Sequence, residues 1–247
     1  MESEIIFGKN PVIESLKAGR SINKIMVADT VNKRSIDELI TLAKNQGVIV
    51  QFVPKKKIEQ LTGEKEKHQG IIAYVSAKNY LELDDLLNNL AKENIEPFLL
   101  ILDGLEDPHN LGSILRTADA FGINGIIIPK RRSVSLNATV AKTSVGAIEY
   151  VPVVRVNNLS QTIEELKKHG IWVAAVDMDG KIDITESKLL GPLALVLGSE
   201  GKGISRLVKE HCDFIIKIPM EGQINSLNVS VAMAIVTYEA YKQRRKK

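Results

Sequence analysis

The sequence predicts an α/β protein in two parts, the larger and C-terminal one built on a mostly parallel sheet with helices on both faces. Two observations point there. Apolar runs of strand length alternate with helical patterns along most of the 247 residues, and several helical patterns stop at a glycine or a proline. In addition, two loops rich in Gly and small polar residues follow late strand-like runs, as ligand loops do at the carboxyl ends of parallel strands.

In the first part, KIMVAD (24–29), VIVQFVP (48–54) and GIIAYVS (70–76) read as buried strands. Helical patterns separate them, among them KRSIDELITLAKNQG, which ends on Gly47. Residues 1–76 form a small α/β unit. Residues 77–97 include an acidic, Asn-rich stretch, LELDDLLNNLAKENIEP, that fits a short helix closing at Pro97 and reads as a linker.

The second unit, 98–247, opens with FLLILDGL (98–105) and the turn Asp107-Pro108, followed by a helix from about Asn110 to Phe121 stopped by Gly122. On that helix Leu111, Ile114, Leu115 and Ala118 share a face, and Arg116 projects away from it. GIIIP (125–129), YVPVVRV (150–156), IWVAAVD (171–177), LALVLG (193–198) and FIIKIP (214–219) supply the later strands. A final helix starts near Asn228 with Val229, Ala232, Met233 and Val236 on one face, a stripe that is either core or a dimer surface.

Composition narrows the function classes. There is no apolar run of about 18 residues and the N-terminus is acidic, so neither a membrane span nor a secretion signal is expected and the cytoplasm is the default. The single cysteine, Cys212, reads as a small packed residue, and four scattered histidines lack metal-ligand spacing, so no metal is expected. Net charge is only +3, but Lys55-Lys56-Lys57, Lys130-Arg131-Arg132 and the Arg244–Lys247 tail are local basic clusters, to be read as solvated surface or as nucleic-acid contacts.

The loops around LVLGSEGKGIS (195–205) and KIPMEGQINSLNVSVAMAI (217–235) read as the floor of a cofactor pocket, since Gly198, Gly201, Gly203 and Gly222 let main-chain groups approach a ligand. A Walker loop is excluded because Lys202 is followed by Gly203, and a Rossmann fingerprint because these glycines do not open a helix after the first strand of a unit.

NLGSILRTADAFG, LVLGSEGKGIS and IPMEGQINSLNVSVAMAI closely resemble the three signature motifs of the SpoU (TrmH) family of RNA ribose 2'-O-methyltransferases, and the resemblance covers the second unit. FGKNPVIESL and HQGIIAYV resemble the small RNA-binding domain of the RlmB-type members, which methylate a guanosine of 23S ribosomal RNA in the large subunit. The resemblance implies a C-terminal trefoil knot of the SPOUT type, a homodimer, and S-adenosyl-L-methionine held largely by main-chain groups at Gly198, Ile218 and Leu227. It implies Asn110, Arg116, Glu200, Ser226 and Asn228 as site residues, with Arg116 either removing the hydroxyl proton or gripping a phosphate. A guanidinium stays charged in proteins, which favours the grip. Asn110 caps its helix or positions Arg116 or the nucleotide. Ser226 and Asn228 cap the last helix or meet the substrate, Lys202 and Arg206 are phosphate contacts or solvated surface, and Thr143 and Ser144 are secondary candidates. The competing readings are a tRNA substrate and a non-catalytic ribosome-assembly module.

Overall fold

Strands form where the apolar runs stand. The computed structural model describes residues 5–17, 19–62, 68–223 and 226–245, and the chain divides into two units, Met1–Asn79 with Ser135–Thr139, and Tyr80–Val134 with Val140–Lys247.

The first unit contains β1 (Ile5–Phe7), α1 (Lys9–Lys17), β2 (Ile22–Ala28), α2 (Asp37–Asn45), β3 (Ile49–Val53), α3 (Lys55–Thr62) and β4 (Ile71–Val75). The sheet order is β1-β4-β2-β3, with β2 and β3 parallel and β4 antiparallel to both its neighbours. Gly47 at φ 62° turns the chain out of α2 in a conformation that side chains resist. Leu16, Ile25, Leu39 and Ile71 join one face of the sheet to α1 and α2. The segment Ser135–Thr139 is fastened here by Leu136, whose carbonyl accepts from the buried Asn23 amide at 3.0 Å and from Ala77 N–H at 2.9 Å.

The second unit begins with α4 (Leu83–Lys92), β5 (Phe98–Asp103), α5 (Pro108–Ala120) and β6 (Gly125–Pro129), with α6 (Ala138–Thr143) further along. It continues through β7 (Val153–Val156), α7 (Leu159–Lys168), β8 (Trp172–Val176), β9 (Ile182–Asp183), β10 (Leu193–Gly198), α8 (Arg206–His211), β11 (Phe214–Lys217) and α9 (Val229–Arg244). Its sheet order is β7-β6-β5-β10-β8-β11-β9, and every pairing is parallel. Residues Leu99–Leu102 are wholly buried, as a strand covered on both faces requires.

On one face, Leu99, Ile101 and Ile127 pack with Leu86 and Leu90 of α4, Ile163 of α7 and Val208 of α8. The stretch read as a linker therefore carries a helix that packs into the second unit's core: Leu83, Leu86, Leu87 and Leu90 fall on one helical face, and burying each contributes about 1.5–3 kcal/mol. On the other face α9 packs on α5 and on β10. Val229, Met233 and Val236 are buried, so the stripe of the last helix is core, with Ala232 half-buried beside it.

Two further expectations change. Helix α5 starts at Pro108 and is capped by Asp107, whose Oδ1 accepts from His109 N–H at 2.9 Å. Proline is preorganised for a first helical position, which moves the start upstream of Asn110. Arg244 is not a solvated tail residue: its guanidinium lies 4.2 Å from the Phe98 ring centroid and donates to Gly191 O, and burial lowers its pKa. Lys246 and Lys247 lie outside the described residues.

Candidate active site

Three segments distant in sequence converge at the carboxyl ends of β5 and β10. Because Asp107 caps α5, the Asn110 side chain is released from capping and sits in the first turn, 8% exposed. Its Nδ2 donates to Glu200 Oε1 at 3.2 Å. Asn228 donates from Nδ2 to Asn110 Oδ1 at 3.1 Å and also to Glu200 Oε1. At the same time Asn228 Oδ1 caps α9 by accepting from Ser230 N–H at 3.0 Å. One amide thus serves both the helix and the cluster.

Glycines set the loop between β10 and α8. Gly201 and Gly203 have φ of 82° and 64°, and Gly203 N–H donates to Ser199 O at 2.9 Å, closing a tight turn under Glu200. A Cβ at Gly198 would stand 1.9 Å from Gly203 C, so only glycine fits there. A Cβ at Gly180 would stand 2.5 Å from Ile216 C. Backbone passes against backbone at both places.

Two clefts open on either side of this loop. One, of about 820 Å³, is bounded by the segments after β8, β10 and β11 and by the start of α9. It brings together Gly198, Glu200, Ile218, Ser226, Leu227 and Asn228. Its size suits a small-molecule site, and its walls combine apolar side chains such as Ile218, Met220 and Leu227 with loop main chain. A cofactor carrying an adenosyl group and an amino-acid tail fits such a mixture. Asp177 and Lys209 also line it and form an ion pair at 2.7 Å, with Asp179 at 3.1 Å from the same ammonium. Burial pulls the Lys209 pKa down, but its bonds to the two aspartates outweigh this and leave it raised. Neither Asp177 nor Lys209 was singled out from the sequence, although Asp177 directly follows the carboxyl end of β8, where a ligand contact is expected.

The second cleft, of about 620 Å³, lies between the β5–α5 connection, the turn after β6 and the start of α7. Asn110, Arg131, Arg132, Asn157 and Lys202 line it. Ser199, Glu200, Lys202 and Gly203 belong to both clefts, so the Asn110–Glu200–Asn228 cluster stands on their common wall.

The remaining candidates lie elsewhere. Arg116 is exposed on α5 and lines neither cleft. Arg206 is 87% exposed and pairs with Glu210. Thr143 packs where a Cβ on Gly112 would stand, 1.9 Å from its Oγ1, and Ser144 is wholly buried with its hydroxyl donating to Ala141 O at 3.0 Å. Thr143 and the Ser144 backbone pack against Gly112 of α5, and neither residue lines a cleft. Among the described residues no group of His, Cys, Asp and Glu is placed to hold a metal, and no helix is long and apolar enough to cross a membrane.

Residues 97–238 match the SpoU rRNA methylase family. The chain belongs to the SpoU rRNA methylase family. Residues 5–81 of this SpoU-family chain match the module described as RNA 2'-O ribose methyltransferase substrate binding. It is 53% identical over 244 residues to YacO of Bacillus subtilis, which carries the name of a TrmH family tRNA/rRNA methyltransferase, covering 98% of this chain and 97% of that one. A protein of the same description from Staphylococcus haemolyticus is 50% identical over 99% of this chain and 97% of its own length. Among solved structures, a protein described as belonging to the TrmH family of RNA methyltransferases, from Porphyromonas gingivalis, aligns with TM-score 0.59 and 27% identity over 98% of this chain and 90% of that one. The SpoU methyltransferase AviRb of Streptomyces viridochromogenes, solved with AdoMet, shares the fold at TM-score 0.62 and 23% identity, over 98% and 91% of the two chains.

Proposed function

We propose that this SpoU-family chain transfers a methyl group from S-adenosyl-L-methionine to a ribose 2'-hydroxyl, on a guanosine of 23S ribosomal RNA. The observation that carries this reading is the Asn110–Glu200–Asn228 cluster, which joins all three signature motifs on the wall between two clefts. Gly198, Ile218 and Leu227 in the larger cleft are the residues to hold the cofactor. When bound there, S-adenosyl-L-methionine supplies an electrophilic methyl group, so the chain's task is mainly to align the acceptor oxygen.

Magnitudes support that division. Alignment contributes about 7–11 kcal/mol to such a reaction, whereas a general base gives about 10²–10⁴-fold, or roughly 3–5 kcal/mol. Glu200, held by two amides and lining both clefts, is placed to accept the hydrogen bond of a ribose hydroxyl and fix its direction. Arg116, exposed and about 9 Å along the helix axis from Asn110, is suited to grip a phosphate of the acceptor strand.

Residues 1–76 are proposed to bind RNA and 98–247 to carry catalysis. A threaded, trefoil-knotted tail is part of the same proposal, and the close backbone passage of Gly180 against Ile216 supports it. The exposed apolar residues Val231, Ile235 and Tyr238 of α9 support a homodimer through that face. The decisive experiment incubates the protein with labelled S-adenosyl-L-methionine and unmodified 23S RNA or tRNA, then maps the labelled ribose. Transfer to 23S RNA carries the reading, transfer to tRNA alone moves the substrate, and tight RNA binding without transfer refutes the enzyme.

A further inference from the structure

We propose that the second cleft is the acceptor-strand site, with Arg131 and Arg132 holding the phosphates on either side of the ribose that is methylated. The proposal rests on the RNA methyltransferase reading above.

The topology puts the cleft where an α/β sheet binds ligands. Sequence-consecutive strands β5, β6 and β7 run outward on one side and β10, β8 and β11 lie on the other, so the strand order reverses between β5 and β10. The crevice outside the carboxyl ends at such a reversal is the usual ligand position. Here it is bounded by Asp103–Asp107 on one strand end and Ser199–Ser205 on the other. A ribose in it lies across a single loop from the larger cleft, beside Glu200.

The charge distribution fits a nucleotide strand. The carboxylates on the β5 side are Asp103, Glu106 and Asp107, and Glu200 lies on the shared wall. Two of them are already engaged: Asp103 Oδ2 accepts from Ser205 N–H at 2.8 Å and Asp107 Oδ1 from His109 N–H at 2.9 Å. Beside them, on the turn after the neighbouring strand β6, are Arg131 and Arg132, exposed and in no ion pair with a carboxylate among the described residues. The carboxylates accept hydrogen bonds from hydroxyl and base N–H groups, and the arginines next to them offer guanidinium forks to phosphates.

The arginine turn is built rather than loose. Lys130 N–H donates to Val156 O at 2.8 Å, Arg155 Nη2 donates to Lys130 O at 3.1 Å, and Val134 N–H donates to Leu105 O at 2.6 Å. These bonds brace both ends of Arg131–Ser133. Within the turn Arg132 has φ 53°, a left-handed conformation that glycine would adopt more readily. A costly backbone carrying a long cation, where glycine would relieve the strain, is the mark of a functional demand on that side chain.

The test compares wild type with Arg131→Gln/Arg132→Gln and with Arg132→Gly. The glycine variant removes a guanidinium from a left-handed position, so it melts no lower than wild type while binding RNA more weakly, and stability cannot account for the loss. RNA affinity is measured as a function of salt, since each single-strand phosphate contact adds about 0.7 to the slope of log affinity against log salt. The double variant is expected to weaken 23S RNA binding about tenfold or more and to lower that slope by about 1.4. Affinity for S-adenosyl-L-methionine by calorimetry stays at the wild-type value. An unchanged RNA affinity and slope in the double variant would overturn the proposal, as would an equal loss of cofactor binding. If wild type transfers no methyl group, the function proposed above fails, while the salt slope still decides whether this cleft holds RNA.

Discussion

Glu200 Oε1 accepts a hydrogen bond from Asn110 Nδ2 at 3.2 Å across a separation of 90 residues, and Asn228 donates to the same oxygen. The start of α5, the glycine loop after β10 and the start of α9 are joined by this one carboxylate. Glu200→Gln keeps the size of the group and removes the charge. Methyl transfer is expected to fall about 10²-fold or more, with cofactor affinity and melting temperature changed little because the amide oxygen still accepts from Asn110 and Asn228. Single-turnover kinetics with labelled cofactor check this, and wild-type turnover would remove Glu200 from the site.

Asn110 and Asp107 separate function from stability within one helix turn. Asp107→Ala deletes the cap of α5 and is expected to cost about 1 kcal/mol in denaturant melts. Asn110→Ala leaves the cap in place, so its main effect is lost turnover.

Asn228 combines the two roles. Asn228→Ser keeps a capping oxygen for α9 but cannot span to Asn110 and Glu200. Stability near that of wild type with strongly reduced turnover is the expected result. A variant that is fully active would show that the amide acts only as a cap.

Gly198→Ala forces a Cβ against the Gly203 backbone, 1.9 Å from its carbonyl carbon. Because backbone cannot move aside as a flexible side chain does, the loop must shift, at a cost of about 1–3 kcal/mol or more. Calorimetry should show cofactor binding lost or greatly weakened.

Arg116→Lys keeps a positive charge and removes the planar fork. Most activity is expected to disappear with no change in melting temperature, since the residue is exposed. Near-normal turnover would refute the bidentate phosphate grip.

Cys212 should be inert. Burial pushes its thiol up to about 12, and its Sγ sits 3.3 Å from Val208 O. With the pKa raised, the thiolate is scarce throughout the neutral range. An aromatic disulfide reagent at pH 8 is expected to label it slowly in the native protein and rapidly after unfolding, and fast native labelling would contradict this packing.

Much of the fold was legible because buried parallel strands leave continuous apolar runs, as in Phe98–Leu102 and Leu193–Leu197. Residues 77–97 read as a helix-bearing linker because the exposed face of α4 is acidic and Asn-rich and a proline follows, signals that overshadow Leu83, Leu86, Leu87 and Leu90 at helical spacing. The sequence puts the start of α5 late because Pro108 after Asp107 fits a turn as well as a first helical position. Periodicity cannot reveal that residues 90 and 118 apart share hydrogen bonds; Asn110, Glu200 and Asn228 were found through motif resemblance. The Asp177–Lys209 pair escaped because neither residue belongs to those motifs. Arg116 was grouped with the cluster, whereas in the chain's own fold it faces solvent outside both clefts.

Leu136 imposes an order on synthesis. Its carbonyl accepts from Asn23, Ser76 and Ala77, so the N-terminal module reaches its final hydrogen bonding only after a stretch more than fifty residues downstream of Asn79 has left the ribosome. A polypeptide cut after Asn79 forfeits those three bonds. Its amide protons near Ser76 and Ala77 should therefore exchange with solvent faster than in the intact chain.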